Sequence, residues 1–265
     1  MFKQPIVALV ALLCATGNWA SAAPLRGDQF LPGPPILDEP RHHLVFQNTF
    51  VRVYEVEVGP HQATLEHQHR FDNLFVVFGD ANLTNKVVGR PEAKLRLQDL
   101  GVNFGRAPYS HIIQNNGDHP FRNVTIELLH PQGESERFYP SLDAALAAAS
   151  GRGKTVRQAT VLQTQEMRLR AVSVSPGSSW SVPHDGHDRL LLLVDTIDNA
   201  GPRQTNSPFP AGMVVWIPAN SDWNVYRAGS HDMKLMVLDF MDTNRKDTNG
   251  TVQRVSHESD SPQVR

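Results

Sequence analysis

Between residues 44 and 130 the chain repeats one pattern: a few residues that alternate apolar with polar or run apolar, then a joint of glycine, proline, asparagine or aspartate. In the stretch HLVFQNTFVRVYEVEVGP, Val51, Val53 and Glu55 alternate with Arg52, Tyr54 and Val56 before Gly59-Pro60 closes the run. That period of two is the signature of a β-strand. The same reading predicts short strands over 62–69, 73–78, 81–87, 94–97, 102–104, 111–115 and 121–130. Many short strands at close spacing argue a sandwich or barrel.

The pattern breaks at YPSLDAALAAASGRGKTVR, where Ser141 can cap a helix over 142–149, Asp143 sits in the first turn and Gly151 ends it. The alanines there are strong helix formers. Strands then resume in VRQATVLQTQEMRLRAVSVSPG, DRLLLLVD, GMVVWIPA, NVYRAG and DMKLMVLDF. Set beneath RAGSHDMKLMVLDF (227–240), the segment NNGDHPFRNVTIEL (115–128) brings glycine, histidine and the following apolar strand into register. The halves therefore read as an internal repeat. In that register His111 falls opposite Trp223, whose indole nitrogen donates a hydrogen bond but ligates no metal.

The ends carry no core pattern. Lys3, the apolar stretch PIVALVALLCA and the A-x-A site at Ala20 and Ala22 read as a secretory signal over 1–22, with an apolar stretch too short to span a bilayer. Removal of that segment takes Cys14, the one cysteine, and leaves no disulfide or thiolate chemistry. Residues 23–40 form a proline-rich arm, His42 and His43 are expected on the surface beside it, and 243–265 read as a mobile tail. The expected location is periplasmic or secreted, with no membrane anchor after cleavage. A net charge of −2 over 265 residues lacks the basic surface that nucleic acid requires.

Twelve histidines are the unusual feature of the composition. In LEHQHRFDNLFVVFGD, His67 and His69 lie one residue apart beside the apolar strand 73–78. Alternation on a strand puts both imidazoles on one face, with Glu66 and Gln68 on the other. Two uncharged imidazoles brought together in a sheet lose hydration without gaining a partner, whereas a divalent ion takes both lone pairs. APYSHIIQN supplies a third, His111, and Asp72 offers an oxygen, either to the ion, to orient an imidazole, or to cap its own turn.

With Gly59, His67, His69, Asp72 and Gly79 in one motif and Pro108, His111 and Asn115 in a second, the chain resembles the cupins in their two-domain, bicupin arrangement. It departs from the family pattern in the distance from Gly59 to His67, in a shorter Pro108–His111 segment, and in an aspartate, with only two residues between it and His69, where the family has a glutamate. The resemblance implies an all-β chain of two tandem cupin (jelly-roll) barrels joined by a short α-helix. The first would span 41–140, the helical linker 141–158 and a degenerate second barrel 159–242. It further implies one divalent metal ion (Fe, Mn, Zn or Ni) on His67, His69 and His111 with Asp72 as a fourth ligand, a structural Asn115, and a homodimer. A small-molecule oxidoreductase such as a dioxygenase is the expected activity. The alternative is a noncatalytic barrel that binds a small ligand, its ion structural or absent.

The second half has its own cluster, His184, His187 and Asp188. Its histidines are three apart, which places them on opposite faces of a straight strand, so it reads as a remodelled pocket. Trp180, Trp216 and Trp223 are expected to fill the interior, and Arg70, Arg106, Tyr109 and Arg122 to form a solvated rim. Phosphate-binding glycine loops, G-x-S-x-G and H-E-x-x-H are absent, which removes those reaction classes.

Overall fold

The computed structural model describes residues 33–149, 155–183, 185–194, 199–200, 211–219, 221, 224–226 and 232–241. The expectations for the signal, most of the arm, the tail, His184 and Trp223 lie outside these residues. The chain is nearly all β. Its first half contains β1 (His42–Gln47), β2 (Val51–Val58), β3 (His67–His69), β4 (Asn73–Phe78), β5 (Ala81–Val87), β6 (Ala93–Leu97), β7 (Val102–Gly105), β8 (Tyr109–Asn115) and β9 (Phe121–Leu128). After β10 (Ser135–Arg137) and α1 (Leu142–Ala148) come β11 (Val156–Thr164), β12 (Met167–Val174), β13 (Ser179–Ser181), β14 (Arg189–Leu193), β15 (Asn199–Ala200), β16 (Val214–Ile217), β17 (Asn224–Tyr226) and β18 (Met233–Phe240).

The repeat read from the sequence reappears in the pairing. One sheet runs β1-β2-β9-β4-β7, and another runs β11-β12-β18-β14-β16 with β10 added at its edge. Even the irregularities match, since β1 slips register against β2 between Leu44 and Phe46, and β11 slips against β12 between Thr160 and Leu162. An extra residue at such a bulge turns the following side chains to the other face, so Phe46 and Leu162 both enter the central core. The other two sheets are β3-β8-β5-β6 and β13-β17-β15.

Period two decides what each face of these sheets meets. On β2, Val51 and Val53 face the central core, while Tyr54, Val56 and Val58 face a second cluster within the first half. The central core joins the halves: Val53, Leu74 and Ile126 of the first pack with Leu169, Leu190 and Leu238 of the second. Trp216 stacks on Phe46 and Phe50 with ring centroids 6.0 and 5.5 Å away and lies 5.4 Å from Phe240. Trp216 is half-buried against this core, whereas Trp180 is buried in a cluster of the second half. Each fully buried leucine here contributes about 1.5–3 kcal/mol relative to exposure.

The helix forms where the capping pattern places it. Ser141 Oγ accepts from Ala144 N at 3.1 Å, satisfying one of the unpaired first-turn N–H groups. It is more than a connector: Leu142, Ala145 and Leu146 are buried in the same core that joins the halves. No helix among the described residues is long and apolar enough to cross a membrane.

Candidate metal centre

β3 pairs antiparallel with β8 so that His67 faces His111 and His69 faces Tyr109. Alternation then turns His67 and His69 the same way, and the strand pairing delivers His111 from across the ladder. All three imidazoles are buried, and one nitrogen of each lies within 4.8 Å of the other two. His111 Nε2 is 3.1 Å from Nε2 of both His67 and His69. Sequence reasoning placed Gln68 on the opposite face, and the structure agrees. That face is covered too, because Gln68 N donates to Pro34 O at 2.8 Å and its side-chain amide donates to Gly33 O.

The hydrogen bonds show what the cluster suits. His67 Nδ1 lies 2.9 Å from Leu65 O, and a carbonyl only accepts, so the proton of a neutral His67 is on Nδ1. His111 Nδ1 lies 3.0 Å from Asn85 Oδ1, which assigns the same tautomer. The two Nε2 atoms that meet at 3.1 Å are therefore both lone pairs, and no hydrogen bond can form between them. His69 does not relieve this contact: its Nδ1 is buried without a partner, and a proton on its Nε2 would serve His111 only. Adding protons to the cluster is opposed. Burial first, then repulsion from His42, drives His67 down to about 4, against weaker pulls upward from the Leu65 bond and Glu39. Burial and the neighbouring imidazoles hold His69 and His111 well below the ordinary histidine value. Lone pairs converging in a dry site fit a cation that accepts them all, and imidazole nitrogen is a usual donor to Zn, Fe, Mn or Ni.

Asp72 does not join this group. Its Oδ1 accepts from Ala107 N and its Oδ2 from Arg106, both at 2.9 Å. The second half makes the same arrangement without the histidines. Asp188, placed before β14 as Asp72 is before β4, accepts from Ala219 N at 2.7 Å. The backbone carbonyls of the two aspartates accept from equivalent residues, Leu128 N at 2.8 Å and Phe240 N at 3.0 Å. An acid doing identical work in both halves belongs to the fold, which is the turn-capping alternative. Asn115 is likewise structural, with Nδ2 donating to Val58 O at 3.0 Å, Gly59 O at 3.2 Å and His119 O at 2.8 Å.

Several residues of the site escaped sequence reasoning. His42, expected on the surface, is buried, with its ring 4.6 Å from that of His67. Glu39 is buried beneath it and accepts from His42 Nδ1 at 2.6 Å. The acid three residues before a histidine, in EPRHH, is the one local signal that could have drawn attention to the pair. Tyr109, expected on a solvated rim, stacks on His69 at 4.7 Å with its hydroxyl 3.0 Å from Asn73 Nδ2. Burial, above all, pushes its hydroxyl upward and keeps it protonated. Arg106 does stand at the edge, where it holds Asp72.

A cavity of about 50 Å³ opens beside the histidines, bordered by His42, His69, His111 and Tyr109, by Asn73, Asn85, Asn103 and Asn123, and by apolar side chains including Val56, Phe75 and Phe104. Leu95, Asn103 and Phe121 border both this cavity and an open surface cleft, so they stand between the two. On the same inner row, Glu127 accepts from Tyr54 Oη at 3.1 Å and lies 3.6 Å from Arg52 Nη1. Burial raises its carboxyl in spite of both partners.

The equivalent row of the second half is closed. Arg52 and Asn73 flank Glu127 in the first half, and Arg168 and Arg189 flank Asp239 at the matching registers. Asp239 is fully buried and accepts from Arg170 at 2.7 and 2.8 Å, Arg189 at 2.7 Å and Arg168 at 3.2 Å. The strand in the position of β3 is β13, which carries Ser179, Trp180 and Ser181. Of the expected second cluster, His187 O accepts from Arg189 and Asp188 caps its loop. The described part of that cluster is joined to the ion-pair network and the loop, with no histidine group comparable to the first among the described residues.

No family profile matches the sequence, and no curated protein matches it. Solved structures do match in fold. A salicylate 1,2-dioxygenase from Pseudaminobacter salicylatoxidans superposes with a TM-score of 0.52 at 11% identity, over 74% of this chain and 72% of that one. The same enzyme in adducts with gentisate gives 0.53 at 11% identity, over 74% and 69%. AerE from Microcystis aeruginosa gives 0.52 at 12% identity, over 77% of this chain and 98% of that one. At such identities the likeness is one of fold, a cupin-like β-sandwich.

Proposed function

We propose that this chain is an exported protein of two tandem cupin barrels joined by a short helix. The first barrel holds one divalent metal ion on His67, His69 and His111 and serves the oxidation of a small organic molecule. The observation that carries this reading is the buried 3.1 Å contact between the Nε2 atoms of His67 and His111, which a shared cation makes favourable. The fold likeness to a dioxygenase supports the reaction class. Export rests on the sequence of residues 1–22, and a homodimer on the resemblance to cupins.

The chain's own residues prepare the site in three ways. Leu65 O and Asn85 Oδ1 hold the Nδ1 protons of His67 and His111 and so aim both Nε2 atoms inward. Val56, Phe75 and Phe104 exclude water from one side, while Asn73, Asn103 and Asn123 offer amides to a polar occupant. Tyr109, protonated and stacked on His69, is a hydroxyl donor at the same wall. A bound divalent ion supplies Lewis acidity and, where the metal is redox-active, electron transfer.

A second reading, binding of a small ligand without turnover, is favoured by the size of the cavity. Its volume of about 50 Å³ is a third of the roughly 150 Å³ that accommodates benzene in an engineered cavity. A ring substrate therefore requires side chains that line the cavity, such as Leu95, Phe104 or Phe121, to move aside. The deciding experiment is metal analysis of the purified chain followed by oxygen uptake with gentisate and salicylate after loading with Fe(II) or Mn(II). Uptake by wild type and none by His111→Ala establishes the oxidoreductase. Metal binding with no oxygen uptake for a broad panel of small phenols and diketones leaves the ligand-binding reading.

A further inference from the structure

The segment before β1 lies directly across the histidine strand. Pro35 bridges to Gln68, and Pro34 O takes the Gln68 N–H at 2.8 Å. Gly33 sits at φ +83°, and a Cβ there would be 2.6 Å from Glu66 O, so only glycine allows so close an approach. Ile36 anchors the strap in the first half's own cluster. At its end stands Glu39, a carboxylate of which 1% is exposed, and burial of that kind is costly unless every oxygen is engaged.

It is engaged towards the centre. Glu39 Oε1 accepts from Leu65 N at 3.0 Å, and Leu65 O in turn takes the Nδ1 proton of His67 at 2.9 Å. Oε2 accepts from Arg41 N at 2.8 Å and from His42 Nδ1 at 2.6 Å. The His42 ring so held rests 4.6 Å from His67 and 6.4 Å from His69, and it borders the cavity. One carboxylate thus fixes both the carbonyl that orients His67 and the ring that packs against it.

We infer that Glu39 and His42 are positioning residues of the three-histidine centre: through Leu65 and the His42 ring, the strap 33–42 sets the orientation of His67 and with it the affinity and geometry of the metal site. Outer partners that orient a ligating imidazole commonly change metal affinity by about 10- to 100-fold when lost. Among the described residues, Glu39 is the acid joined to the ligand set by such a chain of bonds, since Asp72 is committed to Ala107 and Arg106. The inference rests on the metal-centre reading above.

The test is titration of the full, metal-free chain with Co(II) alone, following both the dissociation constant and the visible d–d bands. Glu39→Gln leaves one amide oxygen for three N–H donors, and is expected to weaken cobalt binding by about 10- to 100-fold and to displace the bands. Glu39→Asp should recover part of both. Glu57→Gln, which removes an exposed acid paired with Arg122, should change neither. If Glu39→Gln fails to fold, His42→Phe keeps a ring against His67 without the bond to Glu39 and must still displace the bands. Variants that fold and bind cobalt with unchanged affinity and unchanged bands overturn this inference alone. Wild-type protein that takes up no cobalt overturns the metal-centre reading and this inference together.

Discussion

The two halves have the same strand order, the same bulge and the same loop-capping aspartate, yet they put opposite things inside. In the first half the inner row pairs Glu127 with Tyr54 and Arg52, and a cavity remains beside three neutral imidazoles. In the second, arginines stand in the places of Tyr54 and Asn73, and their guanidinium groups close around Asp239. The sheet framework follows from apolar alternation, which both halves keep. Chemistry depends on a handful of inward polar positions, and these have diverged freely on an unchanged frame. One half is arranged to receive something, and the other is filled by its own charges.

The sharpest way to break this contrast is to remove a ligand. His111→Ala should abolish binding of a divalent ion, a loss of more than about 100-fold measurable by titration and elemental analysis, because two imidazoles alone do not make a firm site. Substitutions confined to the second half should leave the metal content per folded molecule unchanged.

Next in size is the ion-pair network. Asp239→Ala removes the buried carboxylate that Arg170 and Arg189 share, leaving Arg189 only Asp185 and two carbonyls, and breaking a buried pair in this way costs about 3–5 kcal/mol. Glu127→Gln should cost less, since burial already raises that carboxyl and opposes its charge. Urea unfolding of the two variants measures the difference. Equal losses would show that the first half depends on its buried acid as much as the second does.

Acid separates the histidine centre from the ion-pair network by its pH range. His67 falls from an ordinary 6.5 to about 4 in the folded chain, so between those values the unfolded state binds the extra proton. Stability of the metal-free protein should therefore fall as pH drops from about 6.5 to about 4, by about 3 kcal/mol for this residue, with His69 and His111 acting in the same direction. Asp239 is shifted in the same direction but for a different reason: burial alone would raise its carboxyl, and Arg170 and Arg189 outweigh that and hold it low. Its contribution is present above the usual carboxylate range and is lost only as pH falls through the depressed value. Replacing His67 and His69 by serine, the residues β13 carries, should flatten the stability profile between pH 6.5 and 4 and leave the more acid part in place.

The smallest effect tests the internal control on Asp72. Asp72→Asn and Asp188→Asn each weaken a charge-assisted bond to a backbone N–H, the first also a half-exposed pair with Arg106 worth little by itself, and should cost about 1 kcal/mol apiece, read as similar shifts in melting temperature. Metal affinity should not change in either. A large loss of affinity in Asp72→Asn alone would return that acid to the ligand set.

Much of this was legible from residue order. Period two in 51–58 and the cap at Ser141 were enough for the strands and the helix, because those signals are local. H-x-H on a strand put two imidazoles on one face for the same reason. Glu39 and His42 were not legible: nothing in a proline-rich segment says that it folds back across a strand about 30 residues later. Tyr109 read as rim because it follows a turn, and the structure half-buries it by stacking it on His69.

The sequence by itself determined which residues could alternate, cap and ligate, since these follow from backbone geometry and side-chain chemistry over a few neighbours. Tertiary structure alone decided that Asp72 serves the fold, that a strap closes over the histidine strand, and that the halves share one core. Those outcomes depend on which distant groups compete for each donor and acceptor. That competition is resolved only when burial removes water as the alternative partner.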